Sequence, residues 1–140
     1  MDLAQISDRL EIEALLVRYT RAIDSGDWDL LDDVFTSEAR IDYTATGGIA
    51  ASYPEVKRWL AETLPIFPRR MHTLGQIECE VDGDEATVAA YFHNPMVLAQ
   101  PDRAELLVEL GGIYHHLLVR TTEGWRSRSL VEELVWKRGL

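Results

Sequence analysis

The sequence has little of what would place a protein outside the cell or in a membrane. It contains one cysteine, Cys79, so no disulfide can form within the chain, and this usage is typical of a reducing compartment. No apolar run approaches the roughly 18 residues that span a bilayer, and the first ten residues, MDLAQISDRL, do not resemble a signal peptide. We therefore expect a cytoplasmic protein with no membrane partner.

Basic residues are also scarce. The chain has 14 Lys and Arg against 24 Asp and Glu, which gives a formal net charge of −10. Nucleic acid is not an expected partner, because phosphate binding requires a basic surface. The chain has no glycine-rich phosphate loop, no dinucleotide fingerprint and no Cys or His cluster with the spacing of a metal site. We expect no cofactor and no metal.

The composition that is present is that of a globular protein. With 140 residues and 46% apolar residues, the chain is long enough to bury a core and has the length of one domain, residues 1–140. Apolar residues recur at helical spacing over residues 8–24, where Asp8 and Glu11 fit a capping box. Two further helices are predicted at 27–35 and 53–64, with a strand at 39–45 between them.

The hydrophobic period changes to two from about residue 70. Strands are predicted at 71–81, 85–99, 105–121 and 125–137, with a turn at Asp82-Gly83-Asp84. Helices followed by an antiparallel meander indicate an α+β fold. We expect a cone-shaped α+β barrel, in which three N-terminal helices pack on a strongly curved, mainly antiparallel sheet. The mouth of such a cone is a natural pocket for a small molecule.

Two residues stand out as candidates for chemistry. Asp24, at the end of the first helix, borders the apolar stripe and can point inward, where a carboxylate needs a partner. The alternative is an aspartate that holds the Ser25-Gly26-Asp27 turn. His72, at the start of the first meander strand, is either a packed or surface residue or, beside a carboxylate, a general base.

Three segments carry a family resemblance: RYTRAIDSGDWDLLDDVFTSEARIDY (18–43), RRMHTLG (69–75) and GGIYHHLLVRTTEGWR (111–126). With the order of predicted elements, they resemble the SnoaL-like branch of the nuclear transport factor 2-like superfamily. The resemblance covers nearly the whole chain. Asp24 and His72 match the positions of the Asp–His pair used by scytalone dehydratase and by hexachlorocyclohexane dehydrochlorinase.

The resemblance also implies substrate contacts. Tyr43 matches a tyrosine of scytalone dehydratase, while His93 and His115 are the nearest matches to a histidine and an asparagine on its later strands. Tyr19 is a further hydroxyl donor. The Lys and Arg of the dehydrochlorinase fall at Tyr19 and Glu109, so halide chemistry is not expected.

A strand presents alternate residues to opposite faces. We expect Gly111, Ile113 and His115 to share the pocket face, which would place His116 outside. The adjacent pair His115 and His116 therefore does not predict a metal site.

Together these features predict a cofactor-independent lyase or isomerase of the dehydratase type, acting on a small apolar carbonyl compound. In this interpretation Asp24, His72 and Tyr43 are catalytic, and the substrate-binding residues are Tyr19, His93, Ile113 and His115. The alternatives are a polyketide cyclase of the same fold, a non-catalytic protein that binds a small hydrophobic ligand, and a protein–protein module whose sheet face dimerises. The apolar strand segment at 106–119 predicts a homo-oligomer, a dimer or trimer, under each interpretation.

Overall fold

The computed structural model describes residues 1–139. Helix α1 spans Leu3–Ser25 and begins earlier than predicted. Its capping box is Asp2 with Gln5: the Asp2 carboxylate accepts from the Gln5 backbone N–H at 2.8 Å, and the Gln5 side chain accepts from the Asp2 N–H at 2.8 Å. The predicted cap at Asp8 is wrong, because Asp8 lies within the helix. The helix ends at Gly26, whose φ of 70° suits glycine.

The segment after α1 is short and irregular. A 3₁₀ helix at Trp28–Asp33 replaces the predicted second α-helix. Strand β1 (Phe35–Asp42) leads through a 3₁₀ turn at Thr44–Thr46 to a short strand β2 (Ala50–Ser52), which the sequence did not predict. Helix α2 spans Tyr53–Thr63, close to the prediction, and a 3₁₀ turn at Leu64–Ile66 follows.

The predicted meander is present. It comprises β3 (Arg69–Arg70), β4 (Thr73–Asp82), β5 (Glu85–Leu98), β6 (Leu106–Thr121) and β7 (Gly124–Arg138). The strand order is β2-β1-β7-β6-β5-β3, and β4 also pairs with β5. All pairings are antiparallel except β1 with β7, which is parallel. The α+β class and the curved sheet are confirmed, although the sheet is mixed and does not close.

The helices cover the concave face of the sheet. Apolar side chains of α1 and α2 pack with alternate residues of the strands into one buried cluster, which includes Ile12, Leu16, Val56, Leu118 and Leu130. On β6 the even-numbered Tyr114, His116 and Leu118 are buried, whereas the odd-numbered His115 and Leu117 are exposed. This alternation decides which strand residues reach the site.

A pair of glycines relieves crowding where β6 meets β7. The register between the two strands shifts between Gly111 and Gly112. A methyl group at Gly112 would overlap the Glu133 carbonyl and press on the Phe92 ring, so only glycine allows this close approach.

No helix within residues 1–139 has the length and apolar character needed to cross a membrane.

Candidate active site

Asp24 and His72 are 48 residues apart in sequence and in direct contact in the fold. Asp24 lies in the last turn of α1, and His72 lies in the short break between β3 and β4. The His72 ring atom Nδ1 is 2.6 Å from Asp24 Oδ1, and the His72 backbone N–H donates to Asp24 Oδ2 at 2.9 Å. The contact that the sequence predicted is therefore present.

The contact fixes the tautomer of the imidazole ring. An ionised carboxylate can only accept hydrogen bonds, so the proton on this side of the ring belongs to Nδ1. The other ring nitrogen, Nε2, has no hydrogen-bond partner among residues 1–139, and His72 lines a cavity. The His72 side chain is only 5% exposed and that of Asp24 13%. The arrangement leaves one ring nitrogen of a buried histidine without a protein partner at the cavity wall.

Arg70 fixes the backbone around the pair. Its Nε donates to the Ile23 carbonyl at 2.8 Å, and its Nη1 donates to the Phe67 carbonyl at 2.9 Å. The guanidinium also lies 5.5 Å from the centre of the Trp28 ring. Arg70 thus ties the end of α1 to the segment that precedes His72, a role that the sequence alone did not assign.

The cavity that His72 lines has a volume of about 200 Å³ and lies between the helices and the concave sheet face. One part of its wall is apolar, with side chains from α1, α2, the turn after α2 and two strands: Ile23, Trp59, Leu60, Leu64, Phe67, Met96 and Leu110. The polar part consists of His72, two tyrosine hydroxyls from Tyr19 and Tyr43, and side chains not predicted from the sequence. Such a wall suits a compact, largely apolar ligand with a few polar groups.

The hydroxyls of Tyr19 and Tyr43 form a short hydrogen bond inside this wall. Burial raises the pKa of both phenols well above their usual value, so both remain neutral donors at physiological pH. The bond between them uses one of their two protons. The other remains available to a carbonyl oxygen in the cavity.

Glu132, on β7, also lines the cavity and was not predicted from the sequence. It is 8% exposed, and its carboxyl contacts the Thr46 hydroxyl. Burial raises the pKa of Glu132 from 4.5 to about 7, the Thr46 bond opposes this shift, and nearby Asp42 adds to it. In the structure Glu132 lies on the same buried face as Leu130 and is paired in register with Tyr114 of β6, whereas the alternation of residues on β7 does not by itself distinguish it from Glu133.

Asn94, on β5, is the second unpredicted polar residue of the wall. It is 6% exposed, and its Oδ1 has no hydrogen-bond partner within the described residues. Tyr114, which also lines the cavity, stacks on Phe92 with ring centroids 4.1 Å apart. An unsatisfied buried amide oxygen beside a cavity is suited to accept a hydrogen bond from a ligand.

Three predicted substrate contacts lie elsewhere, and the prediction that they face the cavity is wrong. His93 contacts Glu109 at 3.1 Å on the outer face of the sheet, and His115 contacts Glu133 there at 2.8 Å. Ile113, two residues before His115, is on that face too and does not line the cavity. The cause is a one-residue error of register: the cavity positions belong to Asn94 and Tyr114.

His116, expected outside, is fully enclosed. Its Nδ1 contacts the Ser127 hydroxyl at 2.8 Å, and that hydroxyl donates to the Ser129 carbonyl at 3.1 Å. Ser127 must therefore accept from Nδ1. Burial lowers the pKa of His116 to about 3, so the ring is neutral. Among residues 1–139 no three His, Cys, Asp or Glu side chains cluster as a metal site would require.

Comparisons with known proteins identify the family of the chain and structures that share its fold. A family model described as the SnoaL-like domain matches residues 4–131. An uncharacterized protein of Mycobacterium tuberculosis is 48% identical over 132 residues, which cover 94% of this chain and 88% of that protein.

Two solved structures share the fold. A putative scytalone dehydratase from Novosphingobium aromaticivorans matches with a TM-score of 0.82 and 18% identity over 97% of this chain and 89% of that chain. A hexachlorocyclohexane dehydrochlorinase from Novosphingobium barchaimii matches with a TM-score of 0.83 and 17% identity, over 100% of this chain and 94% of that one. At these identities the two structures establish the common fold, as the sequence resemblance predicted.

Proposed function

The chain belongs to the SnoaL-like domain family, and we propose that it is a cofactor-independent lyase or isomerase of the dehydratase type. Its substrate is a small, largely apolar carbonyl compound, and its chemistry is general acid–base catalysis by His72 and Asp24. The observation that carries the proposal is the 2.6 Å contact between His72 Nδ1 and Asp24 Oδ1, which leaves Nε2 free at the cavity wall. The fold shared with a dehydratase and a dehydrochlorinase supports elimination chemistry at the level of the fold.

In this mechanism Nε2 of His72 removes a proton from the carbon next to the carbonyl group. The imidazolium that forms is stabilised by the Asp24 carboxylate, which also keeps the ring oriented. Negative charge develops on the carbonyl oxygen, where the free proton of the Tyr19–Tyr43 pair donates a hydrogen bond. Tyr43 is the member of the pair that we assign to the substrate. The site offers no nucleophile in this constellation, so acyl transfer is not proposed.

The substrate class follows from the cavity. A volume of about 200 Å³ admits a compact molecule, and the apolar side chains of its wall select against a highly charged one. The amide oxygen of Asn94 provides an acceptor for a hydroxyl group of that molecule. A β-hydroxy ketone with one aromatic or alicyclic ring meets these requirements.

The test uses a model substrate, the aldol adduct of benzaldehyde and acetone. We expect elimination to the conjugated enone, followed by its near-ultraviolet absorbance, and exchange of the α-protons in heavy water. His72→Ala should reduce both rates on the order of 100-fold or more. His93→Ala, a histidine on the outer face, is the matched control and should change neither. Equal rates in wild type and His72→Ala would overturn the proposal.

Two alternatives remain as outcomes of the same experiment. A polyketide cyclase would use the same base but pass the enolate to a second carbonyl group, so α-proton exchange would occur without elimination. A non-catalytic binding protein would take up the probe, and its His72→Ala variant would change affinity only slightly, with neither exchange nor elimination in the wild type.

A further inference from the structure

The cavity contains an ionisable group that the mechanism above does not use. Glu132 lies on β7, is 8% exposed and lines the same cavity as His72. We propose that Glu132 is a second catalytic residue, the acid that protonates the departing hydroxyl group while His72 removes the α-proton. This inference rests on the proposed function and assigns to the site a substrate whose leaving group is a hydroxyl.

The surroundings of Glu132 are unlike those of a structural carboxylate. A buried carboxylate is normally paired with a cation or held by several donors. The hydrogen-bond partner of Glu132 among residues 1–139 is instead a neutral hydroxyl, that of Thr46, and no Lys, Arg or His within those residues forms an ion pair with it. A buried carboxyl group in such a place is more stable in its protonated form.

The contact with Thr46 gives Glu132 a single neutral donor. The Thr46 hydroxyl donates to Glu132 Oε1 and also lies 3.2 Å from the Tyr43 carbonyl, and its one proton can serve only one acceptor at a time. That carbonyl already accepts from the backbone N–H groups of Thr46 and Gly48, at 3.1 and 2.9 Å. One hydroxyl proton offsets less of the cost of burying a carboxylate than a cation would, so the protonated form of Glu132 remains favoured.

The ionisable groups around Glu132 favour the neutral carboxyl. The phenols Tyr19, Tyr43 and Tyr114 come from α1, the end of β1 and β6, and all three are neutral. Asp42 on β1 is negatively charged and opposes a second charge. Burial is the largest cause, and it raises the pKa of Glu132 to about 7. The group therefore holds a proton near neutral pH and can release it, as a general acid must.

The proposed step balances in atoms and charge. Nε2 of His72 takes the α-proton, and the electrons of that C–H bond form the carbon–carbon double bond. The bond from the β-carbon to oxygen breaks, and the departing oxygen takes the proton of Glu132. The products are the conjugated carbonyl compound and water, with His72 protonated and Glu132 ionised. His72 then loses its proton to solvent and Glu132 regains one, which restores the starting state.

The leaving group distinguishes an acid catalyst from a structural residue. Hydroxide is a poor leaving group and needs a proton, whereas acetate departs as an anion without one. We compare the aldol adduct of benzaldehyde and acetone with its acetate ester, which give the same product. Glu132→Gln should lower elimination of the hydroxyl probe on the order of 100-fold and of the acetate probe less than threefold. Glu133→Gln, the neighbour on the outer face, is the control and should change neither rate.

The outcomes separate this inference from the proposed function. If the wild type shows no His72-dependent α-proton exchange with either probe, the proposed function fails and this inference falls with it. If exchange depends on His72 but Glu132→Gln lowers both probes equally, the proposed function stands and the acid role of Glu132 is overturned.

If Glu132→Gln misfolds, the pH dependence of the wild-type rates on the two probes provides a second test. The rate on the hydroxyl probe should fall as pH rises past about 7, where Glu132 loses its proton. The rate on the acetate probe should not show this alkaline fall. If the elimination rates on the two probes fall equally as the pH rises above about 7, the acid role of Glu132 is also overturned.

Discussion

The Asp24 carboxylate holds His72 at two points, the ring and the main chain. One oxygen accepts from Nδ1 at 2.6 Å, and the other accepts from the backbone N–H at 2.9 Å. The two bonds together fix both the position of the residue and the rotation of its ring. Since Asp24 sits at the end of α1, the orientation of the imidazole depends on how that helix packs on the sheet.

Asp24→Asn should keep the fold and lose most of the activity. The amide of asparagine can still accept from the His72 backbone N–H through its oxygen, but its NH₂ group then faces Nδ1. The imidazole would adopt the wrong tautomer or orientation, and no charge would stabilise the imidazolium. We expect kcat on the aldol probe to fall on the order of 100-fold or more, with KM changed less.

The control for Asp24→Asn is Asp27→Asn, an acidic residue in the turn just after α1. It should keep full activity. A wild-type rate in Asp24→Asn would show that the carboxylate is not needed and that the pair is structural.

The two phenols of the cavity should not be equivalent. Tyr19 is packed edge-on against Phe35, Tyr114 and His116, whereas Tyr43 lies beside Trp59 at the cavity wall. Removal of the Tyr19 hydroxyl leaves Tyr43 able to donate to the substrate. We therefore expect Tyr43→Phe to lower kcat on the order of 100-fold and Tyr19→Phe only a few-fold. Equal losses, measured on the aldol probe, would contradict the assignment of Tyr43 as the substrate donor.

The fold was largely predictable because its signals are local and periodic. The helical stripe of α1 and the period-two strands from residue 73 onward predicted the element types and their order. The short β2 strand was missed, since three residues carry no periodic signal and the strand exists only through its pairing with β1. The capping box was misplaced because Asp8 and Glu11 have the right spacing, while Asp2 and Gln5 meet the same rule six residues earlier.

The candidate site was predicted only where a resemblance fixed the position. Asp24 and His72 come from element ends, which are well marked in the sequence. His93 and His115 come from the middle of long strands, where a shift of one residue changes the face. Asn94 and Tyr114 hold the cavity positions instead. Glu132 has an acidic neighbour, Glu133, and periodicity alone could not show which of the two was buried.

Gly48 should be essential to the shape of the cavity wall. A methyl group at this position would lie 2.7 Å from Tyr43 Cβ and 2.9 Å from Trp59 Cη2, closer than real contacts allow. Gly48→Ala must push one of these side chains aside, which misplaces the substrate donor. We expect kcat/KM to fall on the order of 10- to 100-fold. Gly75→Ala, whose new methyl group would meet Tyr91 at 3.3 Å on β5, is the milder control and should stay near wild type.

Asp8 should matter for stability and not for activity. It accepts from Arg120 Nη1 at 2.7 Å, from Arg120 Nη2 at 3.1 Å and from Trp125 Nε1 at 3.1 Å, and so joins α1 to β6 and β7. Asp8→Asn would turn an amide NH₂ group toward the guanidinium and remove the charge-assisted hydrogen bonds to Arg120. We expect a lower urea midpoint with unchanged kcat on the aldol probe. An unchanged midpoint would show that this contact adds nothing to stability.

The matched control for Asp8→Asn lies on the same helix. Glu13 forms an exposed pair with Arg9 at 3.4 Å, and such pairs contribute little. Glu13→Gln should leave the urea midpoint close to wild type.

Glu132 should make the protein less stable as pH rises, and glutamine in its place should remove that dependence. The pKa of Glu132 is raised from 4.5 in the unfolded chain to about 7 in the folded protein. Between these values the folded state binds the extra proton, so raising the pH favours the unfolded state. Raising the pH from 5 to 8 should therefore lower the free energy of unfolding of the wild type by about 2 to 3 kcal/mol through this residue.

Urea unfolding of wild type and Glu132→Gln at pH 5 and pH 8 measures the contribution of Glu132 to the pH dependence of stability. Other titrating groups are common to both proteins, so they cancel when the difference between the two proteins is compared at the two pH values. Relative to wild type, the free energy of unfolding of Glu132→Gln should increase by about 2 to 3 kcal/mol between pH 5 and pH 8. Glu133→Gln, with its half-exposed side chain, should show no such gain. A constant difference between wild type and Glu132→Gln would mean that the carboxyl group is already ionised at pH 5, because only a group that loses its proton within the window can change the balance.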